Sequence, residues 1–97
     1  MLEVEILPPA EDDFEQSYVW YRSRSPDAAA RFRIAIRQAI DKVRHDPKLG
    51  IKIDEHYRFY RIKKSFPFYL VYRIEPAKIV VVAIAHNRRA PGYWRSR

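Results

Sequence analysis

The fold depends most on the apolar run Ile79-Val80-Val81-Val82-Ala83-Ile84, which is rich in β-branched residues and predicts a strand. It leads at once into Ala85-His86-Asn87-Arg88-Arg89-Ala90-Pro91-Gly92-Tyr93-Trp94-Arg95-Ser96-Arg97. That segment carries one imidazole, four guanidiniums and two large aromatic rings. Arginine forks match phosphate and carboxylate geometry, while aromatic side chains stack on bases or anchor protein interfaces. We therefore expect functional residues in the segment that follows this strand.

Composition places the chain in one class of protein. Its 97 residues predict a single domain, 1–97, with one core. Cysteine is absent, and the opening Met1-Leu2-Glu3-Val4-Glu5 has no basic region followed by a long apolar one. No segment approaches the roughly 20 apolar residues of a membrane span. We therefore expect a cytoplasmic protein that does not contact the membrane.

The charge balance predicts an anionic partner. The chain has 19 lysines and arginines against 12 acids, a net charge of +7, and the basic residues accumulate from Arg58 onward. Nucleic acid and an acidic protein segment both suit such a surface. Charge alone does not choose between them.

The sequence of the first half of the chain predicts one strand and two helices. Leu2, Val4 and Ile6 alternate with acids, the period of a half-buried strand that Pro8-Pro9 ends. A helix is predicted from Ala10 to about Arg24, and a second, capped by Ser25-Pro26-Asp27, to about His45. The acids Glu11, Asp12 and Asp13 are interpreted as partners of the first helix dipole. So short a connection predicts an antiparallel helical hairpin.

The second half is predicted to form three strands, at Tyr57 to Lys63, Phe68 to Ile74 and Ile79 to Ala85. The predicted order is β-α-α-β-β-β, an α+β fold in which the hairpin covers one face of an antiparallel sheet. Alternation places Tyr60, Ile62, Phe68, Leu70 and Tyr72 toward the helices. It directs Phe59, Arg61, Lys63, Tyr69, Val71 and Arg73 to the other face.

This second face mixes cations with tyrosines beside the segment bearing His86. Phosphate contact is one interpretation, and RNA cleavage is another, with a tyrosine or histidine taking the 2′-hydroxyl proton and arginines stabilising the phosphorane. Solvated strand residues and a hydrogen-bonded structural histidine are the plainer alternatives. The three histidines lack metal-ligand spacing, and no phosphate-binding glycine motif occurs, so we expect neither a metal nor a cofactor.

Along its whole length the chain resembles the RelE/ParE superfamily of type II toxin–antitoxin toxins. The less specific matches are Pro9-Ala10-Glu11-Asp12-Asp13, Ala30-Arg31-Phe32 and His45-Asp46-Pro47-Lys48-Leu49-Gly50. The more specific ones are Phe66-Pro67-Phe68-Tyr69-Leu70-Val71-Tyr72-Arg73 and the segment from His86 to Trp94. The resemblance implies a growth-inhibiting bacterial toxin neutralised by a cognate antitoxin, with operator DNA bound only through that antitoxin, as in plasmid stabilisation systems.

Two branches of the superfamily imply different targets. RelE-like members cut mRNA on the ribosome without a metal, whereas ParE-like members inhibit DNA gyrase and are not nucleases. Under the RelE-like reading, Arg61 and Lys63 answer to strand lysines, Arg88 or Arg89 to a later arginine and Tyr93 to a tyrosine. His86 completes the candidate catalytic set.

One position departs from the nuclease pattern, because Tyr69 stands where RelE-like members carry an arginine. The Phe-Pro-Phe before that strand and the His-x-Arg-Arg after the last one are also more ParE-like. We therefore favour a ParE-like inhibitor of gyrase over a ribosome-dependent endoribonuclease or a non-toxic antitoxin-binding module. Its expected partner-binding residues are Arg73, Arg88, Arg89, Tyr93, Trp94 and Arg95. Tyr93, Trp94 and Pro91 have an alternative role, as a short helical cap folded back on the sheet.

Overall fold

The computed structural model describes residues 2–97. The elements in chain order are β1 (Glu3–Ile6), α1 (Pro8–Arg24), α2 (Pro26–His45), β2 (Ile51–Lys52), β3 (Arg58–Arg61), β4 (Phe68–Glu75) and β5 (Lys78–His86). The two helices lie on one face of a five-stranded sheet, as the predicted α+β class requires.

The helical hairpin forms as its sequence predicts, with one shifted boundary. Ser25 caps α2 by accepting a hydrogen bond from the Ala28 amide at 3.2 Å, and Pro26 occupies the first turn. Helix α1 begins at Pro8 and not at Ala10, because proline suits a first turn whose amides have no helical partner. The one-residue connection holds the helices side by side, and Phe14 stacks on Phe32 at 5.6 Å between ring centroids.

The sheet order is β1-β5-β4-β3-β2, and it corrects the expected all-antiparallel arrangement. β3, β4 and β5 form an antiparallel meander, but β1 pairs with β5 in parallel, with Glu3 opposite Lys78 and Ile6 opposite Val81. Alternation in β1 predicts which side chains face the core, but the same alternation is expected whether the strand pairs in parallel or antiparallel. The sheet is therefore mixed.

Two further differences lie near β3. The two-residue strand β2, which pairs Ile51 with Phe59, was not predicted, since it is too short to alternate. β3 itself ends at Arg61, so Lys63 lies in the connection to β4 and not on a strand. Lys63 borders a groove against α2 together with Gln38 and Lys42.

The main core fills the space between the helices and the sheet. It includes Phe32, Ile36, Val43, Ile62, Phe68, Leu70, Tyr72 and Val81, as alternation predicted for β3 and β4. Tyr72 is fully buried, and its hydroxyl accepts from the Gly50 amide at 2.9 Å and donates to the Pro47 carbonyl at 2.7 Å. These bonds satisfy a buried hydroxyl and hold the loop after α2 against the sheet.

The opposite face of the sheet carries a second, smaller core. Val71, Val82, Ala83, Ala85 and Trp94 are buried there. A register shift between β4 and β5 at Val71/Tyr72 leaves Val82 as the extra residue of a bulge, so Val82 and Ala83 both serve this face. The face expected to be open is therefore partly covered by the residues after β5.

Candidate partner-binding face

The covering segment, residues 87–97, is called the tail, and it folds back by successive tight turns. The amides of Tyr93, Arg95 and Arg97 donate to the carbonyls of Ala90, Gly92 and Trp94 at 3.2, 2.9 and 3.0 Å. Gly92 has φ of 75°, a backbone conformation that other residues adopt only with strain. The tail is thus a cap on the sheet, but it is built from turns and not from the short helix that the alternative role for its aromatics predicted.

Trp94 is the residue that attaches this cap. Its side chain is 5 % exposed and meets the edge of Tyr57 with ring centroids 4.8 Å apart. Burial of a tryptophan removes a large apolar area from water and stabilises the folded tail. Trp94 is therefore a core residue in this structure and not the exposed interface anchor that the sequence indicated.

Asp13 fastens the tail from the other side of the sheet. Asp13 is buried, and its carboxylate accepts from both Nη atoms of Arg97, at 2.6 and 3.1 Å, and from the Tyr93 hydroxyl at 3.2 Å. It also accepts from the Ile84 amide at 3.1 Å. Because β1 ends opposite Val81, that amide has no neighbouring strand, and the carboxylate takes the strand's place.

This arrangement corrects the role expected for Asp13. The acid joins α1, β5 and the tail, and among its neighbours in the first turn only Glu11 matches the helix-dipole role. A signal was present, since Asp13 lies three residues after Ala10 and four before Ser17, at the edge of the buried stripe of α1. A carboxylate in such a position predicts a buried partner, but the sequence does not name Arg97 as that partner.

The environment of Tyr93 disfavours ionisation of its hydroxyl. Burial, followed by the negative charge of Asp13, raises the pKa of Tyr93 from its usual 10 to about 12. A general base must give up its own proton near neutral pH. Tyr93 instead donates that proton in a hydrogen bond to Asp13.

The remaining residues of the candidate nuclease set are only partly brought together. The His86 ring packs edge-on against Phe68, at 5.1 Å between centroids, and its Nδ1 accepts from the Arg88 amide at 3.0 Å. Arg61 lies on the tail side of the sheet, where Nη2 donates to the Tyr69 hydroxyl at 3.3 Å. Lys63 lies apart, bordering the groove against α2. His86 and Tyr93 both line the cleft between the tail and the sheet, but each is held in its own structural hydrogen bond.

The arginines expected to bind partners fall into two groups. Arg73 pairs with Glu75 at 2.8 Å and Arg95 with Asp54 at 2.7 Å, so their charges are balanced within the chain. Through the Arg95 hydrogen bond first, and then through the His56 amide, the pKa of Asp54 is lowered from 3.8 to about 2. Arg88 and Arg89 are exposed and form no ion pair within residues 2–97, although the Arg89 guanidinium lies 4.0 Å from the Tyr93 ring centroid.

A cleft of about 280 Å³, the tail cleft, lies between the tail and the sheet. Its walls are mostly apolar side chains, and Arg89 and Arg95 border it. The lining includes Phe59, Tyr69, Val71, Ala85, Pro91 and Trp94. The tail and the sheet face that it covers are together called the tail face, and the cleft is the concave part of it. The cleft was not predicted, because its two sides come from distant segments and the sequence does not reveal that they meet.

Other kinds of site find no support among residues 2–97. No three histidine or acidic side chains converge there as ligands for a metal ion. None of the helices described is both long and apolar enough to cross a membrane. The arrangement is that of a small basic protein whose distinctive surface is built from arginines, aromatic rings and one apolar cleft.

Comparison with known proteins identifies the class to which this arrangement belongs. Residues 4–91 match the family model described as "ParE toxin of type II toxin-antitoxin system, parDE". Comparison with curated proteins finds no match. The chain belongs to this ParE toxin family, and it is a ParE-type toxin whose family implies an antitoxin partner.

A solved structure has the same fold. It is described as "Chromosomal ParDE TA system from P. aeruginosa", and it superposes with a TM-score of 0.76 over 89 % of this chain and 96 % of the other. The sequences are 17 % identical over that match, so the likeness is one of fold. It agrees with two helices packed on a five-stranded mixed sheet.

Proposed function

We propose that this ParE-type toxin inhibits bacterial growth by binding DNA gyrase, and that its cognate antitoxin neutralises it. The state of the Tyr93 hydroxyl carries this proposal, because that group donates to Asp13 and has a pKa of about 12. A hydroxyl held as a donor does not serve as the base of an RNA-cleaving site. Family membership supports gyrase as the target, since the ParE-like resemblance implies that target. Gyrase is a cytoplasmic enzyme, so the proposal also assigns the toxin to the cytoplasm.

Partner binding is assigned to the tail face. Arg88 and Arg89 present guanidiniums that no carboxylate within residues 2–97 neutralises. The net charge of +7 favours encounter with an acidic partner surface. Exposed arginines next to aromatic rings are typical of the residues that contribute most to protein interfaces. The antitoxin is expected to bring operator DNA to the complex, with the toxin making no contact of its own.

Two reactions run in parallel test the target. Purified toxin is added to a gyrase supercoiling assay, and separately to a translating ribosome system read by primer extension on the mRNA. We expect loss of supercoiling and intact mRNA. Codon-positioned cleavage with normal supercoiling would refute the gyrase proposal in favour of the endoribonuclease. Neither effect, with the antitoxin still bound, would identify a non-toxic binding module.

Variants separate a protein-binding toxin from an enzyme. The double variant Tyr93→Phe with His86→Ala removes the two acid–base candidates of the predicted nuclease set, and we expect it to retain inhibition. Tyr18→Phe, on α1, is the control for loss of a tyrosine hydroxyl elsewhere. Loss of toxicity in the double variant alone, with unfolding curves matching the control, would contradict the proposal.

A further inference from the structure

We propose that the tail cleft receives a large apolar side chain from a partner protein, and that Arg61 and Arg89 bind carboxylates flanking that side chain. The inferred ligand is a peptide segment in which an aromatic or branched aliphatic residue lies beside acids. This inference rests on the proposed function, in that it assumes a toxin acting through protein contacts. It adds the place and the chemistry of one such contact.

The size of the cleft suits a side chain and not a cofactor. Its volume of about 280 Å³ compares with roughly 150 Å³ for an apolar cavity that takes up benzene. Pockets for drug-sized ligands begin at roughly 300 Å³ and extend to several times that. Since the cleft is nearly twice as large as that cavity, it accommodates one aromatic or branched aliphatic side chain together with part of a neighbouring residue.

The lining of the cleft is apolar and well supported. Val71 is 2 % exposed and Ala85 7 % exposed, and both belong to the second core. Phe59 meets Tyr69 edge-on with centroids 5.2 Å apart. The buried Trp94 holds the opposite wall in place. Because these wall residues are fixed by burial in the second core, little conformational entropy is lost when a ligand binds.

The charges at the rim define what flanks the apolar group. Arg89 lines the cleft, and Arg61 lies beside it, donating to the hydroxyl of the lining residue Tyr69 at 3.3 Å. Neither arginine forms an ion pair within residues 2–97, whereas Arg73, Arg95 and Arg97 each hold a carboxylate. Guanidiniums bind carboxylates in a two-pronged geometry that gives both strength and orientation. Two cations that the chain itself leaves unneutralised, next to an apolar cleft, are complementary to an acidic and apolar segment.

The aromatic rings of this face argue against nucleic acid as the ligand. Binding of single strands depends on bases stacking on exposed ring faces. Here guanidiniums already lie over those rings: Arg61 at 5.2 Å from Tyr69, Arg89 at 4.0 Å from Tyr93, and Arg95 at 4.8 Å from Trp94. A base would have to displace them, while a carboxylate binds their outer edges without doing so.

A labelled peptide tests the inference on the full chain. Its phenylalanine is flanked by two glutamates on each side, and binding is followed by fluorescence anisotropy at physiological ionic strength. We expect saturable binding. It should weaken at least tenfold when alanine replaces the phenylalanine, since a buried ring is lost. A loss of about tenfold is also expected when glutamines replace the glutamates, since the charge-assisted hydrogen bonds are lost.

Two exposed arginines provide a matched pair of variants. Arg89→Gln should weaken peptide binding about tenfold, whereas Arg22→Gln, which removes the same charge from the exposed last turn of α1, should change it less than about twofold because salt screens it. Ala85→Leu fills the cleft and should abolish the phenylalanine dependence. In the wild-type protein, NMR signals of the Val71 and Ala85 methyls should shift on titration, and that of Val43 in the main core should not.

Several results would overturn the inference. Equal losses in Arg22→Gln and Arg89→Gln, or no saturable binding, would mean that the rim acts only through its overall positive charge. Full peptide affinity in a folded Ala85→Leu variant would place the contact elsewhere. Displacement of the peptide by a single-stranded oligonucleotide whose own binding depends on Arg89 and not on Arg22 would make nucleic acid the ligand. Gyrase inhibition measured in parallel separates the claims: inhibition without peptide binding refutes only the cleft, and peptide binding without inhibition refutes only the target.

Discussion

Replacing Asp13 by asparagine should loosen the tail while leaving the volume of the side chain unchanged. The amide oxygen still accepts from the Ile84 amide or the Tyr93 hydroxyl. The amide nitrogen, however, is a donor placed against the Arg97 guanidinium, which is also a donor. The substitution thus removes one charge and turns an attractive contact into a repulsive one.

The expected cost follows from how deeply the pair is buried. The Asp13 and Arg97 side chains are 7 % and 16 % exposed. Removing one partner of a fully buried pair costs roughly 3–5 kcal/mol of unfolding free energy. Arg97 can swing toward water, so we expect about 2 kcal/mol for Asp13→Asn. Asp13→Ala should cost about 3–4 kcal/mol, because the buried Ile84 amide then loses its acceptor as well.

Urea unfolding followed by tryptophan fluorescence measures this cost. The exposed Trp20 is first replaced by phenylalanine, so that the signal reports the burial of Trp94 in the second core. Asp12→Asn is the control, as it removes the same charge from an exposed neighbour on the same helix and should change stability by less than about 0.5 kcal/mol. A double-mutant cycle with Arg97→Gln should give a coupling of about 1.5 kcal/mol or more.

Equal stability of Asp13→Asn and Asp12→Asn, or a coupling near zero between Asp13 and Arg97, would mean that the tail is held by Trp94 alone. A large effect that leaves the Trp94 signal unchanged would place the damage in the main core.

Three further predictions concern other contacts. Gly50→Ala should destabilise the fold by about 1–3 kcal/mol, since its new carbon would lie 2.4 Å from the Tyr72 hydroxyl, as a urea titration would measure. Tyr93 should ionise with a midpoint of about 12, seen as a 295 nm absorbance change missing from Tyr93→Phe. Because that pKa exceeds the unfolded value of 10, the stabilisation from protonated Tyr93 is complete below pH 10 and is lost as pH rises toward 12. Asp54→Asn should lower the urea midpoint at pH 7, because it breaks the ion pair with Arg95. The folded pKa of Asp54 is depressed to about 2, so this difference should be present above pH 3.8 and vanish as pH falls through 2.

Each of these has an outcome that would contradict it. A neutral Gly50→Ala would mean that Tyr72 can leave its loop without cost. A Tyr93 midpoint near 10 would mean that the tail hydroxyl is exposed to water. For Asp54, a wild-type advantage that persists at pH 2 would show that the aspartate acts through its backbone turn and not through its charge.

Local patterns in the sequence were sufficient to predict the two helices and the face of the sheet on which each strand residue lies. Ser25-Pro26 marks the start of α2 by satisfying its first amides, and alternation sends Leu70 to one core and Val71 to the other. Both signals are properties of neighbouring residues. They are therefore visible in one sequence.

Features that depend on distant pairing were not predictable in the same way. The direction of β1 is set by β5, far along the chain, and it does not change the local pattern. β2 pairs with the nearby β3 but has only two residues, too few for alternation to reveal it. The candidate site was the least predictable part of the structure, because the tail cleft and the Asp13–Arg97 pair each join distant segments. The arginines were identified as functional candidates, but which of them are neutralised within the chain became clear only from the structure.

The position of β5 between β1 and β4 has a consequence for how the chain can be made or divided. A cut in the loop after α2 would leave one piece with β1 and the helices but no sheet, and another with a meander whose apolar face is bare. Each piece would supply the surface that the other lacks, so the two should reassociate and not fold separately. During synthesis, likewise, β1 must wait for β5 before it can pair, and such long-range closure is slow. Until then the helices keep their apolar stripe exposed, so a growing chain passes through an interval in which it depends on protection from aggregation.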